Sequence, residues 1–152
     1  MGTRTEGRGS TSALYTPEQR KRRDETRWTL VQGVLAPLQF VVFLVSLVLV
    51  FHYLMTGEGY AIATASIVIK TGVLYTIMVT GAIWEKVVFG QYLLAPAFYW
   101  EDMFSFAVIA LHTLYILALF TGALSASSLM ALALLAYAVY VVNAAQFLLK
   151  LL

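Results

Sequence analysis

The stretch LVQGVLAPLQFVVFLVSLVLVFHYL, residues 30–54, decides the fold. It has no formally charged side chain and exceeds the roughly 20 residues that a helix needs to cross a bilayer core. Three more apolar stretches are long enough, 61–83, 103–124 and 128–149, with Lys70 the single formal charge among them. The expectation is an all-α integral membrane four-helix bundle. Composition agrees with it. Of 152 residues 61% are hydrophobic and 12% charged, with a mean hydropathy of +0.80. Soluble domains hold about 45–50% apolar and roughly 25% charged residues. An ordinary soluble domain, a disordered chain and a nucleic-acid-binding module are thereby excluded. With no cysteine, disulfides, thiolate metal sites and thiol nucleophiles are excluded too.

Outward from the spans, the charges are uneven. Residues 1–27 hold seven of the ten Lys and Arg and four of the eight Asp and Glu. Residues 1–14 are small and polar and read as an unpacked tail; 15–29 read as a basic interfacial helix; 30–152 read as the four-span domain. Thr16, Pro17 and Gln19 have the spacing of a capping box with proline at the first helical position. The arginine cluster, Lys86 and Lys150 fall on one side, and the turns at 56–60 and 123–127 have no Lys or Arg. That bias predicts cytoplasmic termini and a longer cytoplasmic loop, 85–102, between the second and third spans. Trp28, Tyr53, Tyr60, Trp84 and Trp100 fall near the interfaces, as aromatic belts do. Pro37 lies inside the first span and frees a backbone carbonyl. The start is not a signal peptide, because the apolar run is too long and no cleavage site follows. Its first six residues do not complete a myristoylation pattern.

Polar side chains in a bilayer seek a partner or a cavity, so helical phase locates the bundle interior. Gln32, Gln39, Ser46 and Tyr53 recur every seven residues. Glu101, Ser105 and His112 share a face within about 40°. Tyr140, Asn143, Gln146 and Lys150 fall on one side of the last span. Lys70 and His112 are ionisable groups deep within spans, while His52 lies near the outer interface; a buried ion pair or a neutral amine is the alternative reading for Lys70. Glu85, Glu101 and Asp102 gather at the cytoplasmic end, as the acidic mouth of an apolar cavity. No nucleotide loop, paired metal motif or nucleophile elbow is present.

The segments TRWTLVQGVLAPLQF (26–40), YTIMVTGAIWEKVVFGQYLLAPAFYWEDMFS (75–105), ALHTLY (110–115) and AYAVYVVNAAQFLLK (136–150) resemble the vinyl bacteriochlorophyllide hydratase family. The resemblance runs from about Tyr15 to Lys150. It implies an enzyme of bacteriochlorophyll biosynthesis in the inner, intracytoplasmic membrane of a phototrophic bacterium. Such enzymes add water to the ring A vinyl group, at carbon 3, of a chlorophyllide-type pigment and leave a 1-hydroxyethyl group. Pigment, water and lipid are then the partners, with a second copy of the chain or other pigment enzymes left open. No cofactor is expected beyond the substrate's own magnesium.

The chemistry asks for a carboxylic acid to protonate the terminal vinyl carbon and a group to orient and deprotonate water. A desolvated carboxyl holds its proton more tightly and can act as general acid. Glu101 is the first choice for the acid, with Glu85 as partner or water base and Asp102 as the third carboxyl. Candidate substrate contacts are His112, Ser105, Gln39, Asn143, Gln146, Trp100 and Lys70. His112 lies eleven residues beyond Glu101, roughly 16 Å along a helix. That is the scale of a macrocycle, so His112 is a candidate ligand of the substrate magnesium. Phe89, Tyr92, Phe98, Tyr99 and Trp100 are candidate stacking groups. The competing functions are a non-enzymatic pigment-binding or assembly protein, which would not need the carboxyls, and a channel, which an apolar outer half disfavours.

Overall fold

A computed structural model describes residues 14–151. The expected tail, 1–14, falls outside the described residues except for Leu14. Helix α1 is Pro17–Glu25, and its capping box forms as expected. The Thr16 hydroxyl accepts from the Gln19 amide at 3.1 Å, and the Gln19 side chain accepts from the Thr16 amide at 2.9 Å. The basic segment does not run on as one helix. Thr26 is extended (φ −85°, ψ 141°), and its hydroxyl caps the next helix by accepting from the Trp28 amide. Threonine competes for backbone hydrogens, which favours such a break.

Helix α2 is Arg27–Thr56 and α3 is Tyr60–Phe89. At 1.5 Å per residue each is about 45 Å long, more than the bilayer core demands. Helix α2 continues through Pro37. Gly57 ends it in the left-handed conformation (φ 75°), where a glycine has no steric cost. A short 3-10 turn, Pro96–Phe98, leads into α4, Tyr99–Thr121, and α5 is Ala126–Leu151.

The loop between the second and third spans is shorter than 85–102. Glu85 and Lys86 stay helical because the first breaker after them is Gly90, at φ 88°. Glu101 and Asp102 occupy the first turn of α4, where negative charge complements the helix dipole. The connection is therefore 90–98, and the acids sit on helices rather than in a loop.

The chain forms two helical hairpins, α2 with α3 and α4 with α5, packed together. Phe43, Ile67, Leu74, Val108 and Tyr137 fill the shared core. Large apolar side chains such as Val48 and Phe120 point outward. All four long helices are apolar enough to cross a membrane. An outward shell of this kind suits lipid and would be a liability in water. Helix α1 lies against the end of α3. Its Arg22 guanidinium donates twice to the Val88 carbonyl, at 3.0 and 2.7 Å, and Tyr15 stacks on Phe89.

Candidate active site

Two buried polar layers cross the bundle. The first lies beneath the 90–98 connection. Successive residues on a helix point about 100° apart, so Glu101 and Asp102 serve different neighbours. Asp102 turns toward α3 and Glu85, and the two carboxyls accept from adjacent backbone amides, Leu94 and Ala95. Glu101 turns toward α5, where one carboxyl oxygen lies 3.4 Å from Lys150 Nζ. Its other oxygen, Oε1, is buried without a protein partner.

All three acids are buried, at 4% for Glu85, 7% for Glu101 and 5% for Asp102, so the expected open mouth is closed over. The cover is tied to the acids themselves. The Leu94 amide donates to Asp102 Oδ2 at 2.9 Å, and the Ala95 amide donates to Glu85 Oε2 at 3.1 Å. Lys150 donates to the Ala97 carbonyl at 2.8 Å. Leu94 is held at φ 63°, a conformation that costs an L-residue roughly 1–2 kcal/mol.

Below the acids, the single Ser105 hydroxyl hydrogen has two acceptors in reach, the Glu101 carbonyl at 2.9 Å and Asn143 Oδ1 at 3.0 Å. Asn143 Nδ2 donates to the Glu101 carbonyl and to Gln146 Oε1. Ser105, Asn143 and Gln146 thus join the first layer, as one candidate group. Phe89 and Phe98 are tied up with Trp84 and Phe147 in an aromatic cluster. Trp100 is 68% exposed and packs edge-on against Tyr99, and Tyr92 is exposed beside Lys86.

The second layer lies halfway along the helices and gathers Gln39, Lys70 and His112. Lys70 is fully enclosed. Its Nζ donates to Gln39 Oε1 at 3.2 Å and lies 3.2 Å from His112 Nε2. It also sits 3.7 Å from the centre of the Tyr140 ring. His112 Nδ1 is 2.8 Å from the Val108 carbonyl. A carbonyl only accepts, so Nδ1 carries the hydrogen and Nε2 offers its lone pair to Lys70. Farther along, Ser46 bonds to Ser66 at 2.7 Å and to the Tyr137 hydroxyl at 2.6 Å.

The sequence expectation had passed over Lys150 as a site residue, although it shared a face with Asn143. The Leu94 and Ala95 amides were missed as well; backbone donors carry no signal in residue identity. Among the described residues no group of three or more His, Cys, Asp or Glu is placed to hold a metal ion.

Comparison with known proteins adds the family. A family profile described as 2-vinyl bacteriochlorophyllide hydratase matches residues 15–152. A curated protein of that name from Cereibacter sphaeroides is 74% identical over 138 residues, covering 91% of this chain and 86% of the relative. One from Rhodobacter capsulatus is 70% identical over 142 residues, covering 93% of this chain and 82% of the relative. No solved structure matches. At that identity, over nearly the whole of both proteins, the chain belongs to the 2-vinyl bacteriochlorophyllide hydratase family.

Proposed function

We propose that this chain hydrates the ring A vinyl group of a bacteriochlorophyllide-type pigment, with the first polar layer as its acid and base. We take the relatives' 2-vinyl and the carbon 3 vinyl above to be the same group. The observation that carries the reading is the convergence of Glu85, Glu101 and Asp102 in one buried layer, in a chain of this family.

Protonating the terminal vinyl carbon leaves a cation on the carbon next to the macrocycle, where the π-system spreads it. Water then attacks that carbon and gives up a proton. The acid here is the Glu85–Asp102 pair. Glu85 and Asp102 are held by the adjacent Ala95 and Leu94 amides, and two carboxyls brought together in a buried layer favour keeping one proton between them because like charges repel. Glu101 is the water base. Its Oε1 is an unfilled acceptor and its other oxygen already has an ammonium partner in Lys150. This exchanges the roles that helical phase suggested, where Glu101 was the acid. The proton lost from water returns to the carboxyl layer, so the addition is balanced.

For pigment to reach the acids the 90–98 connection must yield, since the acids are buried beneath it. Membranes holding the chain should convert 3-vinyl chlorophyllide to the 1-hydroxyethyl pigment, followed by absorbance and mass. Glu85→Gln should stop conversion while the protein still inserts. If pigment is bound yet never hydrated by the unaltered protein, the assembly-protein reading replaces this one.

The same reading places both termini and the 90–98 connection in the cytoplasm of a phototrophic bacterium. The chain has no cysteine, so single cysteines report orientation cleanly. A cysteine at Glu58 should react with an impermeant thiol reagent from outside, and one at Gln91 only from the cytoplasmic side.

A further inference from the structure

We propose that Lys70 is the receptor for the carboxylate side arm of the pigment, reached sideways from the bilayer through the seam between α3 and α4. The proposal rests on the hydratase reading and deepens it. Charged groups inside a membrane are costly and are kept with partners or for function. Among the described residues the ion pairs are Arg23 with Asp24 and Lys150 with Glu101. Lys70, the most enclosed cation, instead has an amide oxygen, an imidazole nitrogen and two aromatic rings around it. Each of these would stabilise an ammonium and none carries the charge that would neutralise one. A site built this way lacks only its anion.

The route is also marked. Lys70 and His112 are on α3 and α4, the facing helices of the two hairpins. Tyr75 and Thr113 bridge the same seam with a 2.6 Å hydrogen bond between exposed hydroxyls. Thr113 follows His112 directly, and Tyr75 lies little more than a turn from Lys70, so this bond stands at the lipid side of the buried pair. Next to it the outward face of α3 has a shallow, open depression along Tyr75, Thr76, Val79 and Thr80. A hydroxyl pair at mid-membrane gives a passing carboxylate hydrogen-bond donors before it meets the ammonium.

The ligand chemistry is an amphipathic one: a flat apolar ring with one anionic arm. A chlorophyllide has this form, because its propionate is a free acid. Glu85 is fifteen residues past Lys70, about 22 Å along α3. That separation is between backbone positions, so the Lys70 and Glu85 side chains and the pigment with its arm together span it. The anchor would set which edge of the ring meets the carboxyls.

The test compares the free acid of the vinyl pigment with its methyl ester. The full-length protein in lipid nanodiscs is titrated with each, following the pigment absorbance shift, and hydration is measured in parallel. The unaltered protein should bind the acid about tenfold tighter than the ester, about 1.4 kcal/mol. Lys70→Met should bring the two within about twofold by weakening the acid alone, and Lys70→Arg should restore the preference. Equal binding of acid and ester by the unaltered protein overturns the anchor, as does a preference that survives in Lys70→Met. Hydration separates the two readings. If the vinyl group is hydrated without an acid preference, the anchor falls and the hydratase stands. If neither pigment is hydrated, the hydratase falls, and the binding ratio still decides the anchor.

Discussion

Beneath the 90–98 connection, three carboxyls gather near one lysine, which pairs with Glu101; halfway along the bundle, a second lysine has only neutral partners. Both layers are buried, and both are built from residues on α3, α4 and a neighbouring helix. The first is rich in groups that exchange protons and has an acceptor left open. The second is rich in groups that hold a charge still. A layer of the first kind suits bond-making and one of the second suits positioning. Burial alone therefore says little about what a polar cluster in a membrane protein does; the excess of one charge over its partners says more.

Four changes would break or sharpen that contrast. The largest effect is expected from Glu85→Gln or Asp102→Asn, each of which removes one carboxyl of the proton-sharing pair. Hydration should fall by about a thousandfold, within the usual range for a general acid. Normal turnover by either variant would remove the pair from the chemistry. Glu101→Gln should cost about a hundredfold in kcat with KM little changed, because water rather than pigment loses its contact. A rise in KM instead would make Glu101 a pigment contact.

Lys150→Met comes next. Lys150 is partly exposed, and partly screened pairs contribute about 1 kcal/mol or less. A loss of about fivefold in rate is expected, recovered by Lys150→Arg; a loss as large as that of Glu101→Gln would move Lys150 into the reaction. The smallest effect belongs to Ser46→Ala. It deletes bonds to Ser66 and Tyr137, worth about 0.6 kcal/mol each in a membrane interior. The unfolding midpoint in detergent should drop slightly and hydration should stay unchanged. Lost activity would extend the functional region beyond the two layers.

Much of this arrangement is legible in the residues, for identifiable reasons. The seven-residue recurrence of Gln39 and Ser46 marks the inward face of α2, and both are buried there. Thr16, Pro17 and Gln19 cap α1 as their spacing dictates. Glycines 57, 90 and 122 end helices at positive φ. The extent of the loop was misread because apolarity stops near residue 83 while helicity persists to Phe89. A helix that leaves a membrane has no reason to stop at its surface. The Lys70–His112 contact was illegible for a different reason. Periodicity gives the face a residue occupies on its own helix, but not its height relative to the next. Nor does phase alone tell that adjacent acids, Glu101 and Asp102, divide between α5 and α3.

Arg22 connects two matters that are usually treated apart. As part of the basic lead-in, it belongs to the charge bias that orients a membrane protein during insertion. As the donor of two bonds to the Val88 carbonyl, it also closes the last turn of α3, three residues past Glu85. One side chain thus belongs both to the basic lead-in on which the proposed orientation rests and to the end of the acid-bearing helix. A charge swap at this position, of the kind used routinely to invert topology, would disturb the end of α3 even in molecules that insert correctly. Orientation experiments on this protein should therefore vary Arg20 or Lys21, whose side chains are exposed, and leave Arg22 in place.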